Sequence, residues 1–146
     1  QNLGAGQPER AETSVWRAPF GNMVFLLVVS ISFWIWAEPL IQVFTDDVKA
    51  IEAGVMSLRI FCVGYVFYAY GMVVSQAFGG AGDTRTPTVI NFICFWLVEI
   101  PLAYLLARTL NWGPAGVIWA IAVSESLLAV LAIAIFRKGK WKLVEV

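Results

Sequence analysis

Residues 114–136 read PAGVIWAIAVSESLLAVLAIAIF, and within them one side chain, Glu125, carries a charge. A helix crosses a bilayer with roughly 20 consecutive, mostly apolar residues, so this stretch is long enough to do so. Its apolar residues form a continuous run, which is the membrane pattern rather than that of a helix lying on a soluble core. Three further stretches of this kind precede it, at about 18–44, 54–78 and 88–107. The fold expected is all-α: a polytopic membrane protein with about four transmembrane helices, followed by a cytoplasmic tail at 137–146.

Composition agrees with this reading. Of 146 residues, 60% are hydrophobic and 14% charged, and the mean hydropathy is +0.76. A soluble domain carries about 25% charged residues, so this chain lacks the charge to coat a water-facing surface. Ten basic and ten acidic residues balance to zero, which argues against nucleic acid as a partner, because phosphate backbones select basic surfaces. There is no histidine, so imidazole catalysis and histidine–metal sites are excluded. Cys62 and Cys94 each lie inside an apolar run and read as packing residues. The start at Gln1 lacks a basic segment followed by an apolar core. It suggests a piece cut from a longer protein.

The breaks between spans are turn chemistry. Thr45-Asp46-Asp47 follows the first span, with Thr45 or Asp46 placed to cap the next helix. Gly79 to Thr84 separates the second from the third. Asn111-Trp112-Gly113 separates the third from the fourth, and Pro114 suits a first helical position. Pro39 and Pro101 should kink or loosen their helices. Four crossings place both termini on one side. That side holds Arg10, Arg17, Arg85, Arg137, Lys138, Lys140 and Lys142, against Lys49 and Arg108 opposite. The positive-inside bias makes the first side cytoplasmic. Trp16, Trp112 and Trp141 fall near span ends, where indole rings favour the membrane interface.

Two carboxylates carry the functional reading: Glu99 near the middle of the third span and Glu125 near the middle of the fourth. A charge at mid-bilayer costs about 2.5–3.5 kcal/mol even on the lenient insertion scale. Each is therefore a candidate for ion or proton coupling, and each could instead be a hydrogen-bonded structural acid. Phe92, Phe95 and Trp96 surround Glu99 at helical spacing, which suits an amphipathic organic cation or simply lipid-facing aromatics. Ala115, Ala122, Ala129 and Ala132 accompany Glu125, which places it at a helix–helix contact rather than in an open cavity. Arg59, one turn into the second span, can snorkel outward or pair with a buried Glu. Tyr65, Tyr68, Met72, Ser75 and Gln76 fall on or near one face. Of these, Tyr65, Tyr68 and Gln76 are candidates for a substrate path. The Gly-rich segments Leu3 to Gly6 and Gly79 to Gly82 follow no strand and lack a Gly-Lys-Ser/Thr ending, so they read as turns and not phosphate loops. They resemble one another, each preceding a span that runs outward.

The opening Gln1-Asn2-Leu3-Gly4-Ala5-Gly6-Gln7-Pro8-Glu9-Arg10-Ala11 resembles a cytoplasmic loop motif of the MATE (multidrug and toxic compound extrusion) family. Gln76-Ala77-Phe78-Gly79-Gly80-Ala81-Gly82-Asp83-Thr84-Arg85-Thr86-Pro87 resembles the next. Gly113-Pro114-Ala115-Gly116-Val117-Ile118-Trp119-Ala120 and the basic stretch Phe136 to Lys142 are similar to the family's last helix and its end. The resemblance covers essentially the whole chain. It implies a twelve-helix, two-lobe transporter of which these residues are helices nine to twelve, with the earlier helices of the same protein as partners. It further implies export of small organic, often cationic, xenobiotics across a bacterial inner membrane, in exchange for protons or sodium ions. The sodium-coupled branch has an acid in the tenth helix, where this chain offers Tyr68 or apolar neighbours. Glu99 and Glu125 are this chain's own candidates. No cofactor and no metal are expected, and the protein is not expected to be an enzyme. The competing readings are a lipid or polysaccharide-precursor flippase, which would show more cavity-facing cations than Arg59 alone, and a non-transporting assembly module, which would need no mid-membrane carboxylates.

Overall fold

The computed structural model describes residues 1–143, so the last three positions of the expected 137–146 tail lie outside the described residues. The described residues are helical, with no strand among them. Helix α1 spans Pro8–Ile35 and the short α2 spans Ala37–Gln42. Helix α3 spans Val48–Gly80, α4 runs over Arg85–Thr109 and α5 over Pro114–Arg137. α1, α3, α4 and α5 are each long and apolar enough to cross a membrane. All four expected spans are present, with α3 beginning earlier than position 54 because Asp47 supplies its cap.

That cap corrects one sequence reading. Thr45 and Asp46 leave the role to Asp47, whose carboxylate accepts from the N–H groups of Lys49 and Ala50 at 2.9 and 3.5 Å. Thr45 instead accepts the Asp47 N–H through its hydroxyl at 3.2 Å, tightening the turn one residue earlier. The break in the first span follows from Pro39. Proline has no N–H, and its ring collides with the carbonyl four residues back, here Ile35. α1 ends at Ile35, and α2 restarts after Trp36.

The two Gly-rich turns share one geometry. After α3, Gly82 (φ 82) donates to the Gly79 carbonyl at 3.0 Å and Asp83 to the Phe78 carbonyl at 2.9 Å. Before α1, Gly6 (φ 69) donates to the Leu3 carbonyl and Gln7 to the Asn2 carbonyl, both at 2.9 Å. Each is a Schellman closure with glycine at the left-handed position. The resemblance between the two segments is thus a shared turn.

α4 departs from a regular helix. It is wound in wide turns over Phe92–Glu99 and again over Leu105–Thr109, with Ile100 donating to Phe95, five residues back. Pro101 cannot donate to the carbonyl one turn earlier, and wide turns are how a helix absorbs such a defect. Pro101 was expected to loosen the helix, and this is the form the loosening takes.

The bundle is held by α3, which packs against α5 and α1. Its best-buried cluster lies where α1 begins and α3 and α5 end. Phe136 stacks on Trp141 at 4.6 Å and 11°, and meets Trp16 and Phe78 edge-on at 5.6 Å each. Trp141 is 3% exposed, with its indole N–H donating to the Phe136 carbonyl at 3.1 Å. Trp16 and Trp141 are therefore engaged inside the chain's own cluster, while Trp112 is exposed. Elsewhere apolar side chains point outward: Phe20, Phe25, Ile35, Phe44 and Leu97 are all exposed. An apolar exterior of this extent suits lipid and neighbouring helices, not water.

Candidate functional site

The seam between α3 and α5 positions the candidate site. At Gly64, an added Cβ would stand 3.6 Å from the Ala122 Cβ. Two helical turns further on, at Gly71, it would stand 2.9 Å from the Ala129 Cβ and 3.0 Å from the Ala129 Cα. The helices therefore come together at two points, one at each small-residue pair. Between those points lie Tyr68 on α3 and Glu125 on α5. They line a cleft of about 250 Å³ together with Phe61, Gly64, Tyr65, Ile121 and Ala122.

The sequence reading placed Glu125 in a packing contact. The contact is made by its neighbours: Ala122, Ala129 and Ala132 are buried against the bundle. Glu125 itself is half-buried and opens into the cleft. The alanines bring the helices close, and the larger Tyr65, Tyr68 and Glu125 side chains between the close points leave a space. A carboxyl facing two phenol-bearing side chains can hold a proton or a small cation. The cleft is smaller than the 300–1,000 Å³ usual for drug-sized ligands.

Glu99 lies on the wide-turned part of α4 and is half-buried. The three aromatics grouped around it from sequence are divided by the structure. Phe95 packs on the buried cluster at the α1-start end, while Phe92 and Trp96 are 54% and 64% exposed. The wide turns change the angular spacing of side chains, so positions at ordinary helical intervals no longer share one face. Gln76 is exposed near the end of α3, away from the Glu125 cleft.

Arg59 joins neither carboxylate in an ion pair among the described residues. Its guanidinium lies 5.7 Å from the Trp34 ring, and it lines a larger, open cleft of about 680 Å³ with Glu38, Glu52, Met56 and Trp119. This cleft lies at the end of the bundle where α3 and α5 begin. Sequence reading missed it because α2 packs beside α3 there, and no periodicity within one span reports that. The available signal was Pro39, which forces the break.

Comparisons with known proteins agree with the fold and with the loop motifs. The MatE family model matches residues 1–105. The chain is 28% identical over 122 residues to the "Probable multidrug resistance protein NorM" of Thermotoga maritima, covering 83% of this chain and 26% of that protein. It is 34% identical over 128 residues to the protein of the same description in Pseudomonas aeruginosa, covering 84% and 25%. It is 26% identical over 140 residues to "Protein DETOXIFICATION 35" of Arabidopsis thaliana, covering 95% and 28%. The chain thus spans about a quarter of the length of these curated relatives. No solved structure matches it. With a family model matched over more than two thirds of its residues, and with four helices fit to cross a membrane, the chain belongs to the MatE family.

Proposed function

We propose that the protein to which this chain belongs is a secondary active antiporter of a bacterial inner membrane. It exports small organic, often cationic, xenobiotics in exchange for protons or sodium ions. Both ends of this chain lie on the cytoplasmic side. The names of the relatives support the efflux part of this reading, and the Lys/Arg asymmetry supports the orientation. The observation that carries the coupling is Glu125, a carboxyl within a membrane-crossing helix that opens into a cleft with Tyr65 and Tyr68. An acid in a crossing helix costs stability, which makes it a candidate for function.

Protons are the coupling ion this cleft favours. The single carboxyl can take up and release a proton, whereas a hard metal cation seeks more oxygen ligands than one carboxyl and two phenol-bearing side chains supply. Glu99, half-buried on the wide-turned part of α4, would be a second proton-coupling carboxyl. Phe92 and Trp96, exposed beside it, would meet the organic substrate or the remaining helices.

The test uses the full-length protein in everted vesicles with an imposed pH gradient. Glu125→Gln keeps the shape of the side chain and removes its titration. It should lower proton-driven efflux by at least about tenfold, in line with losing a positioned proton-transfer group, with insertion unchanged. Glu99→Gln should also impair efflux. If both variants export as the parent does, the coupling residues lie in the helices outside this chain and the reading fails for these carboxyls.

A further inference from the structure

The bundle end at which α1 begins and α5 stops carries a charged patch that the transport reading leaves unused. Gly139 (φ 70) reverses the chain after α5, and the turn Lys140–Leu143 folds back on the helix. Trp141 anchors that turn, buried to 3% exposure by its stacking on Phe136. Lys142 is drawn to Glu12 on α1 as an ion pair. The described part of the basic tail is therefore a docked turn.

Docking fixes the backbone that bears the neighbouring cations. Lys138 and Lys140 are exposed on either side of Gly139. Arg17 is exposed on α1 next to Trp16, and Arg137 stands 5.5 Å from the Trp16 ring. Among the described residues three acids lie at this end: Glu12, paired with Lys142; Asp83, which accepts from Thr86 and keeps its charge; and Glu9, exposed on the first turn of α1. Among the described residues the patch keeps more positive than negative charge.

We propose that this patch binds the phosphate group of an anionic phospholipid in the leaflet that meets this end. Three features lead there. Arg137 ends a crossing helix and Lys138 follows it directly, at the depth of lipid headgroups. The buried aromatic stack beneath them anchors the turn that carries them at this end of the bundle. Cations clustered just beyond a membrane helix are attracted to anionic lipid, each contributing roughly fivefold in affinity. The docked turn also holds the backbone that carries these charges, so less backbone entropy is lost on binding. The proposal rests on the crossing of α1 and α5 and not on the transport reaction.

The test is native mass spectrometry of the detergent-solubilised full-length protein, titrated with phosphatidylglycerol or phosphatidylcholine. The parent should retain phosphatidylglycerol in preference to phosphatidylcholine. The double variant Lys138→Gln/Lys140→Gln should bind it roughly 25-fold more weakly, at about fivefold per cation. Lys138→Arg/Lys140→Arg, which keeps the charge, should match the parent, and Lys49→Gln at the opposite end should leave binding unchanged. Equal retention of the two lipids overturns the proposal, as does a double Gln variant that binds as the parent does. A Lys49→Gln loss as large as that of the double variant also overturns it, because the effect would then be one of overall charge. Displacement of the lipid by dilute inorganic phosphate would overturn the lipid assignment and leave a free-anion site.

Discussion

Asp83 shows how much a single side chain in a turn can determine. Its carboxylate accepts the Thr86 hydroxyl at 2.5 Å and the Thr86 N–H at 3.0 Å, satisfying an open donor at the start of α4. The bond from the Thr86 hydroxyl is the main cause that holds the Asp83 carboxyl below the usual aspartate range, with partial burial opposing it. The sign follows from that. A depressed folded-state value gives stability that is fully present above the unfolded value of about 3.9 and is lost as pH falls through the folded value. Asp83→Ala should cost about 0.5–2 kcal/mol, as removal of a helix cap does. Thermal unfolding of the full-length protein at neutral pH should show the loss, and the gap to the parent should close in acid below the aspartate range. A gap independent of pH would mean that the ionised carboxylate contributes nothing. At this scale the sequence was legible where chemistry is local. Glu99, Glu125, Tyr65 and Tyr68 stand out because acids and phenols are rare in apolar runs. Which of them meet was not legible, since the Tyr65–Tyr68–Glu125 grouping depends on how α3 lies against α5.

The helix pair α3–α5 shows what spacing can and cannot predict. A stripe of alanines on α5 announces close packing, and the glycines that receive it sit at the matching interval on α3. The closeness differs along the seam, and this sets the second prediction. A Cβ at Gly64 meets Ala122 at ordinary contact distance, whereas one at Gly71 comes within 3.0 Å of the Ala129 backbone. Backbone cannot swing aside, so the helices must part. Gly64→Ala should leave stability near the parent's, with the gain in helix propensity offsetting the new contact. Gly71→Ala should lose about 1–3 kcal/mol, as overpacking does. Gly116→Ala should be harsher still, because its Cβ would fall 2.6 Å from the Ala107 N and 2.7 Å from the Leu106 carbonyl carbon. Melting temperatures of the three variants should rank in that order, and a Gly71→Ala protein as stable as Gly64→Ala would refute the tight crossing. The wide turns of α4 are the counterexample to legibility. Pro101 marks the defect in the sequence, but whether a helix answers with a kink or with wider turns depends on the neighbours that hold it.

Across the whole molecule, the contacts of Trp16, Phe78, Phe136 and Trp141 bring the start of α1 and the ends of α3 and α5 to one end of the bundle. That arrangement is what an even number of crossings requires. It leads to a labelling test of orientation in full-length protein lacking Cys62 and Cys94. A single cysteine at Asp46 should react with an impermeant thiol reagent added from outside, and one at Lys140 should not. Both positions are exposed in the fold, so the bilayer alone separates them. Labelling at Lys140 and not at Asp46 would invert the topology. Span number, helical class, family and the sidedness of charge were determined by the sequence alone. Span number, helical class and the Lys/Arg asymmetry rest on run length and composition, which the bilayer reads one segment at a time, and the family on its loop motifs. Only the tertiary structure decided that Glu125 opens into a cleft, that Arg59 turns to Trp34 and that the described part of the basic tail is a docked turn. These depend on the approach of residues tens of positions apart, which periodicity within one helix does not encode.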